Sequence, residues 1–141
     1  LEFYLIKDFQ RAGNTAKIIN STVNLSDSVI ISYDEIISYN SSDYTFTVTK
    51  SCADKLDDFK IHGTPFAVTI DKKIIYTGYF WCGFSSLSVD WVTIDPLNYS
   101  GKNLLHVSLG YPGLFEGDYI PDNRNDYRIL EALTRDGKLN K

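Results

Sequence analysis

The chain has 141 residues, a length that predicts one folded domain whose core needs no disulfide or metal ion. Its net charge is −4, and its 14 lysines and arginines are scattered, which excludes the clustered basic surface of a nucleic-acid-binding protein. The apolar runs are too short to span a bilayer, and no basic amphipathic stretch favours binding to a membrane surface.

The first third of the chain predicts strands separated by polar segments. Alternating β-rich residues at 1–7 indicate a strand, and the polar stretch 8–27 indicates a loop with at most one short helical turn. The apolar run 28–32 and the β-branched and aromatic run 44–49 indicate two more strands. The segment between them, 33–39, fits either a helical turn or a strand.

A helix is predicted at about 50–59, where apolar residues recur at spacings of three and four. Thr49 or Ser51 can accept hydrogen bonds from the free amide groups of its first turn. The face expected to be buried consists of Cys52, Ala53, Leu56 and Phe59.

The segment 65–81 predicts a β-hairpin, with a tight polar turn at 71–73. Gly78 in its second strand indicates a bulge or a close approach of the backbone. Further strands are predicted at 89–95 and 103–111. Because 110–126 is rich in glycine and proline, we expect no regular structure there.

The last predicted element is a helix at about 126–136. Asp126 is a suitable N-cap, and Gly137 lies where a left-handed residue commonly ends a helix. Its predicted buried stripe consists of Ile129, Leu130 and Leu133. The order of elements predicts an α+β fold: a mostly antiparallel sheet with the hairpin 65–81 at its centre and both helices packed on it.

The stretch GYFWCGFSS (78–86) raises the question of a redox thiol. Trp-Cys-Gly opens dithiol redox motifs, and Cys-Gly-Phe-Ser resembles the active-site tetrapeptide of monothiol glutaredoxins. A catalytic thiolate is usually stabilised at a helix N-terminus, and the predicted strand at 89–95 leaves no room for a helix after Cys82. We therefore expect no redox activity. Whether Cys52 and Cys82 are free or form a disulfide stays open.

No metal, cofactor or catalytic motif is recognised. His62 and His106 stand alone, without the ligand spacing of a metal site. The oxygen-rich segment 118–126 fits a calcium loop, but turn and helix-cap chemistry explains the same residues. The serines at 85 and 86 lack the second glycine of a nucleophile elbow.

The region 44–80, YTFTVTKSCADKLDDF followed after three residues by GTPFAVTIDKKIIYTGYF, resembles the periplasmic head of the SecD export protein. The matching positions include Ala53, Phe59, Gly63 and 67–71. The transmembrane helices of SecD have no counterpart in this sequence. The segment 110–141 of this sequence has no counterpart in SecD. FW..FSS and the closing ND.RIL.AL...GKL are similar to a family of uncharacterised bacterial secreted proteins or lipoproteins.

The length predicts a single domain over 1–141. The resemblances imply that the protein lies outside the cytoplasm, either released or held by a lipid on a cysteine upstream of Leu1. The absence of methionine favours a longer gene product, from which either a leader or a trimmed segment has been removed.

For function, we expect a non-enzymatic binding or structural module of the bacterial cell envelope, with a protein or peptide as partner. The candidate contact residues are aromatic side chains near the end of the hairpin: Tyr79, Trp81, Phe84 and Tyr111. The same aromatics also fit a purely structural role in the core. The alternative function is a small secreted hydrolase that uses Ser85 or Ser86 with His62 or His106.

Overall fold

The computed structural model describes residues 1–140, which form two helices and nine strands. The helices are α1 (Lys50–Leu56) and α2 (Tyr127–Arg135). The strands are β1 (Glu2–Asp8), β2 (Asn24–Ile31), β3 (Ile36–Asn40), β4 (Thr45–Val48), β5 (Pro65–Ile70), β6 (Lys73–Phe80), β7 (Val89–Ile94), β8 (Leu104–Tyr111) and β9 (Leu139–Asn140).

All nine strands belong to one sheet, in the order β2-β1-β5-β6-β7-β8-β4-β3-β9. Neighbouring strands are antiparallel except in two pairs, β6 with β7 and β3 with β9. The predicted class, helices combined with a mostly antiparallel sheet, is confirmed. The predicted hairpin is formed by β5 and β6, the third and fourth strands of the order.

The sheet curls around its own core. Phe3 on β1 and Phe46 on β4 come from opposite halves of the strand order, yet their ring centroids are 5.4 Å apart. Both side chains are fully buried, and Phe66 on β5 packs beside Phe3. The curl also explains how the short turn Tyr33–Glu35 joins β2 to β3, which lie near opposite ends of the order.

Strand β2 is longer than the sequence predicts, because it begins at Asn24 and not near residue 28. Its polar first half pairs with β1 through Asp8 with Asn24 and Ile6 with Leu25. β2 is an edge strand, so backbone pairing holds it in place while its polar side chains face solvent. Polar residues in such a strand carry no alternating apolar signal.

Helix α1 ends at Leu56, three residues before the predicted end, and the expectation that Phe59 is buried was wrong. After Asp57 the chain leaves the helical path, and Asp58 Oδ1 accepts a hydrogen bond from the Lys60 N–H at 2.9 Å to start a separate 3-10 turn. This turn leaves Phe59 66% exposed. The predicted Thr49 cap is confirmed, and so is the burial of Cys52, Ala53 and Leu56.

The other local predictions agree with the structure. Asp126 caps α2 by accepting a hydrogen bond from the Arg128 N–H, and Gly137 has a φ of +68° just beyond the helix. Of the predicted stripe, Ile129 and Leu133 are fully buried, and Leu130 packs against the core in a half-buried position. At Gly78 a Cβ atom would lie 2.7 Å from both the Phe66 ring and the Val92 carbonyl oxygen.

Candidate functional site

The candidate site is built where β6 and β7 meet. These neighbouring strands run parallel, and their paired residues are only Tyr79 with Thr93 and Phe80 with Ile94. Since both pairs lie at the C-terminal ends, the chain must run back after Phe80 before β7 can start. It does so through 81–88, a segment of turns without a helix.

The loop between β1 and β2 is tied to both of these strands. From β6, the Thr77 hydroxyl donates to Asn20 Oδ1 at 2.7 Å, and the Tyr79 hydroxyl donates to the Ala16 carbonyl at 2.8 Å. The Ala16 N–H donates in turn to Oδ1 of Asp90 on β7 at 2.8 Å. These three bonds hold the loop in a defined position beside the junction.

A groove of about 670 Å³ lies between this loop, the segment 81–90 and the loop after β8. We call it the aromatic groove, because four aromatic side chains line it: Phe9, Tyr79, Trp81 and Phe115. Its charged lining residues are Arg11, Asp90 and Asp118. The volume falls within the range of ligand-binding clefts, about 300–1,000 Å³.

Two of the four predicted contact residues, Tyr79 and Trp81, line the aromatic groove. Tyr79 is 7% exposed, and burial raises the pKa of its hydroxyl, so it remains a neutral donor to the Ala16 carbonyl. Trp81 is half-buried, and its Nε1 donates to the Leu87 carbonyl at 3.1 Å. Trp81 also packs against the hydrophobic core, of which Tyr79 is a member, so the structure leaves a structural role for both open beside the predicted contact role.

The other two predicted residues lie outside the groove lining. The Tyr111 hydroxyl lies 2.8 Å from the Gly83 carbonyl oxygen and 2.7 Å from that of Ser85, so it holds the turn after Cys82. Phe84 is 64% exposed and packs edge-on against Phe59, with ring centroids 5.4 Å apart. The structure therefore does not bring all four predicted aromatics to one surface.

Sequence analysis missed the contributions of Phe9, Arg11 and Phe115. Phe9 is a single aromatic at the start of a polar segment, and Phe115 lies in a glycine-rich irregular one. Neither segment has a periodic pattern that would assign its residues to a face. The one available signal was the presence of large apolar side chains in otherwise polar loops.

The serine and histidine side chains of the alternative hydrolase do not meet. Ser85 Oγ accepts a hydrogen bond from the Leu87 N–H, and His62 Nδ1 accepts one from the Cys82 N–H at 3.0 Å. His106 Nδ1 is hydrogen-bonded to Thr45 Oγ1 at 3.1 Å. Within residues 1–140, no hydrogen bond connects either histidine to Ser85 or to Ser86.

Both cysteines are free thiols with fully buried side chains. Burial, with a smaller contribution from Asp95, raises the pKa of Cys82. Burial, with a smaller contribution from Glu35, raises the pKa of Cys52 to about 11. A reactive thiolate requires the opposite environment, one that lowers the pKa.

Two of the three carboxylates in the oxygen-rich segment 118–126 form ion pairs within the protein. Asp122 pairs with Arg124 at 2.8 Å, and Asp126 pairs with Arg128 at 2.9 Å. The Asn125 side-chain oxygen accepts a hydrogen bond from the Tyr39 hydroxyl at 2.9 Å. Residues 1–140 contain no group of three or more histidine, cysteine or acidic side chains arranged to hold a metal ion.

Comparison with known proteins found no matching family model, no matching curated protein and no matching solved structure. The resemblance of 44–80 to the SecD head therefore stays a prediction from the sequence. In the described part of the chain, no helix combines the length and the apolar character needed to cross a membrane.

Proposed function

We propose that this protein is a non-enzymatic binding module that holds an extended peptide in the aromatic groove. The observation that carries the proposal is the groove itself, with Tyr79 and Trp81 in one wall and the loop between β1 and β2 in another. Aromatic side chains at interfaces supply large contact areas at low cost in conformational entropy. An open groove with such walls suits a chain that binds lengthwise.

Polar groups around the aromatic side chains support a peptide as the ligand. Asn14 and Ser88 line the groove, and their side chains form no hydrogen bond with any residue in 1–140. A peptide backbone offers a donor and an acceptor at each residue, and these must be satisfied when the peptide leaves water. Amide and hydroxyl groups beside apolar walls meet both requirements of a bound peptide.

We further propose that the module acts outside the cytoplasm, at the bacterial cell envelope. The support is the resemblance of 44–80 to a head domain that handles exported polypeptide. The full gene tests this proposal directly, and we expect an export signal or lipoprotein leader upstream of Leu1. A gene that encodes no hydrophobic leader there would remove the basis for an envelope location.

Fluorescence provides a direct test of peptide binding, because the protein contains two tryptophans and one of them lines the groove. A Trp91→Phe variant leaves Trp81 as the single reporter. We expect a saturable change in its emission when short peptides without secondary structure are added. In the converse variant, Trp81→Phe, the remaining Trp91 is 8% exposed, and we expect little change in its emission.

Phe84→Ala is the matched control in the Trp91→Phe background. Phe84 is an exposed aromatic close to Trp81 in sequence, but it does not line the groove, so peptide affinity should be retained. If calorimetry detects no peptide binding and Trp81 emission does not change, the proposed function is wrong. If Phe84→Ala instead loses peptide affinity, the peptide binds at the surface formed by Phe59 and Phe84.

A further inference from the structure

We infer that the aromatic groove selects peptides that carry a lysine or arginine side chain, an inference that rests on the proposed function. The groove lining contains two carboxylates, Asp90 and Asp118, and one guanidinium, Arg11, which together give it a net charge of −1 (+1 − 2). None of the three takes part in an ion pair within residues 1–140. The groove therefore presents an excess of uncompensated negative charge.

Each carboxylate is held in place by one of its two oxygens. Asp90 Oδ1 accepts a hydrogen bond from the Ala16 N–H at 2.8 Å, and Asp118 Oδ2 accepts one from the Phe115 N–H at 3.3 Å. The second oxygen of each has no hydrogen-bond partner among the described residues. Because both side chains are half-buried, their charges are screened less than charges on an open surface.

The aromatic side chains favour the same ligand charge. A cation placed over the face of tryptophan, tyrosine or phenylalanine is attracted by the electrons of the ring. The Trp81 indole is already oriented, since its Nε1 donates to the Leu87 carbonyl and the His62 ring packs against it at 4.4 Å. A lysine side chain carries a cation on an apolar stem. Aromatic rings and anchored carboxylates in one groove can therefore bind both parts of it.

Arg11 adds a positive charge to the groove lining. It is exposed on the loop between β1 and β2, and its guanidinium forms no hydrogen bond or ion pair with residues 1–140. It repels a second cation and can bind a backbone carbonyl or an acidic side chain of the same peptide. A peptide with one basic residue thus fits the groove better than a uniformly basic one.

The test uses three synthetic peptides that differ only at a central position, which is Lys, Gln or Glu, titrated against the Trp91→Phe variant. We expect the Lys peptide to bind about two- to tenfold more tightly than the Gln peptide, and the Glu peptide to bind most weakly. Added salt should reduce the advantage of the Lys peptide, because partly exposed charges are screened.

Asp118→Asn and Asp90→Asn each remove one charge but keep an oxygen that can accept the same backbone hydrogen bond. Each should weaken binding of the Lys peptide about two- to fivefold and leave the Gln peptide unchanged. Asp54→Asn is the matched control, because it removes one charge from the exposed face of α1, outside the groove lining. It should alter binding of neither peptide.

The outcomes separate this inference from the proposed function. If the three peptides bind equally and all of them change Trp81 emission, peptide binding stands and selection of a cation is wrong. Tighter binding of the Glu peptide overturns the inference in the same way. If none of the peptides binds, both the inference and the proposed function are overturned.

Discussion

The His62 ring packs against the Trp81 indole with centroids 4.4 Å apart, while His62 Nδ1 accepts a hydrogen bond from the Cys82 N–H at 3.0 Å. One side chain therefore supports the groove tryptophan and also fixes the backbone immediately after it. This arrangement gives His62 a positioning role next to the groove, and not a role as a base for Ser85 or Ser86.

Replacing His62 by alanine should weaken peptide binding to the groove by about two- to tenfold, the usual contribution of one ring–ring contact. The physical reason is that Trp81 would lose the ring that restricts its orientation. Peptide titration in the Trp91→Phe background measures the change. His106→Ala is the control, since His106 is an exposed histidine on β8 that does not line the groove. Equal losses in the two variants would contradict the positioning role.

Leu56→Ala should lower the free energy of unfolding by about 2–5 kcal/mol, because Leu56 is fully buried and its removal leaves a cavity. Phe59→Ala is the comparison, since Phe59 is 66% exposed and should change stability by about 0.5 kcal/mol or less. Denaturant unfolding of both variants measures the difference. Similar losses in the two would show that Phe59 is buried in solution, contrary to its exposed position here.

The β5–β6 turn should tolerate a glycine substitution better than the first position of β6 does. Asp71 and Lys72 have positive φ angles of 49° and 64°, a conformation that asparagine and glycine adopt more readily. We expect Lys72→Gly to raise the free energy of unfolding by about 0.5–1 kcal/mol. Lys73→Gly, at the exposed first position of β6, should lower it by about the same amount. Destabilisation by both would argue against this turn conformation.

Asp136 should contribute to the acid sensitivity of the fold. Hydrogen bonds from Arg135 and then from Tyr33 lower the pKa of its carboxyl from 3.8 to about 2. A lowered native pKa means that the stabilisation is present above about pH 4 and is lost as the pH falls towards 2.

Asp136→Asn should therefore make the free energy of unfolding less dependent on pH between about pH 4 and pH 2 than in the unmodified protein. Denaturant unfolding across this range measures the slope. Asp27→Asn is the control, because this exposed carboxylate on β2 forms no hydrogen bond within residues 1–140, and it should leave the slope unchanged. An unchanged slope in Asp136→Asn would contradict the prediction.

The Cys82 thiol should behave as an inert core group in spite of its Trp-Cys-Gly context. Because burial and Asp95 raise its pKa, alkylation in a Cys52→Ala variant should show an apparent pKa above the free-cysteine value of about 8.5. The same variant unfolded in denaturant should react at the ordinary rate. An apparent pKa below about 7, with disulfide-reductase activity, would establish a redox role for the stretch 78–86.

Much of the fold was predictable because its signals are local. The alternation in 65–81 predicts the hairpin of β5 and β6, and the spacing of Ile129 and Leu133 after the Asp126 cap predicts α2. The prediction was wrong for the first half of β2, which depends on pairing with another strand and not on its own residue pattern. The polar half of β2 is a strand because β1 supplies its backbone partners, and no residue pattern within 24–27 records that.

The candidate site was predictable only in part, for the same reason. Aromatic content near the hairpin end pointed to Tyr79 and Trp81, but it also pointed to Phe84 and Tyr111, which lie outside the groove lining. Strand alternation assigns side chains to faces of a strand, but it does not predict which turn they will contact. The Tyr111 hydroxyl holds the turn at 82–88, and this contact depends on where β8 lies relative to β7.

By itself, the sequence determined the caps, the tight turn and most of the strands, because each depends on the conformational preferences of a few consecutive residues. Only the tertiary structure decided the aromatic groove. Its walls depend on contacts between distant residues, such as the Tyr79 hydroxyl with the Ala16 carbonyl and the Ala16 N–H with Asp90. These bonds require β6 and β7 to lie side by side, paired at their C-terminal ends, with the loop between β1 and β2 beside them.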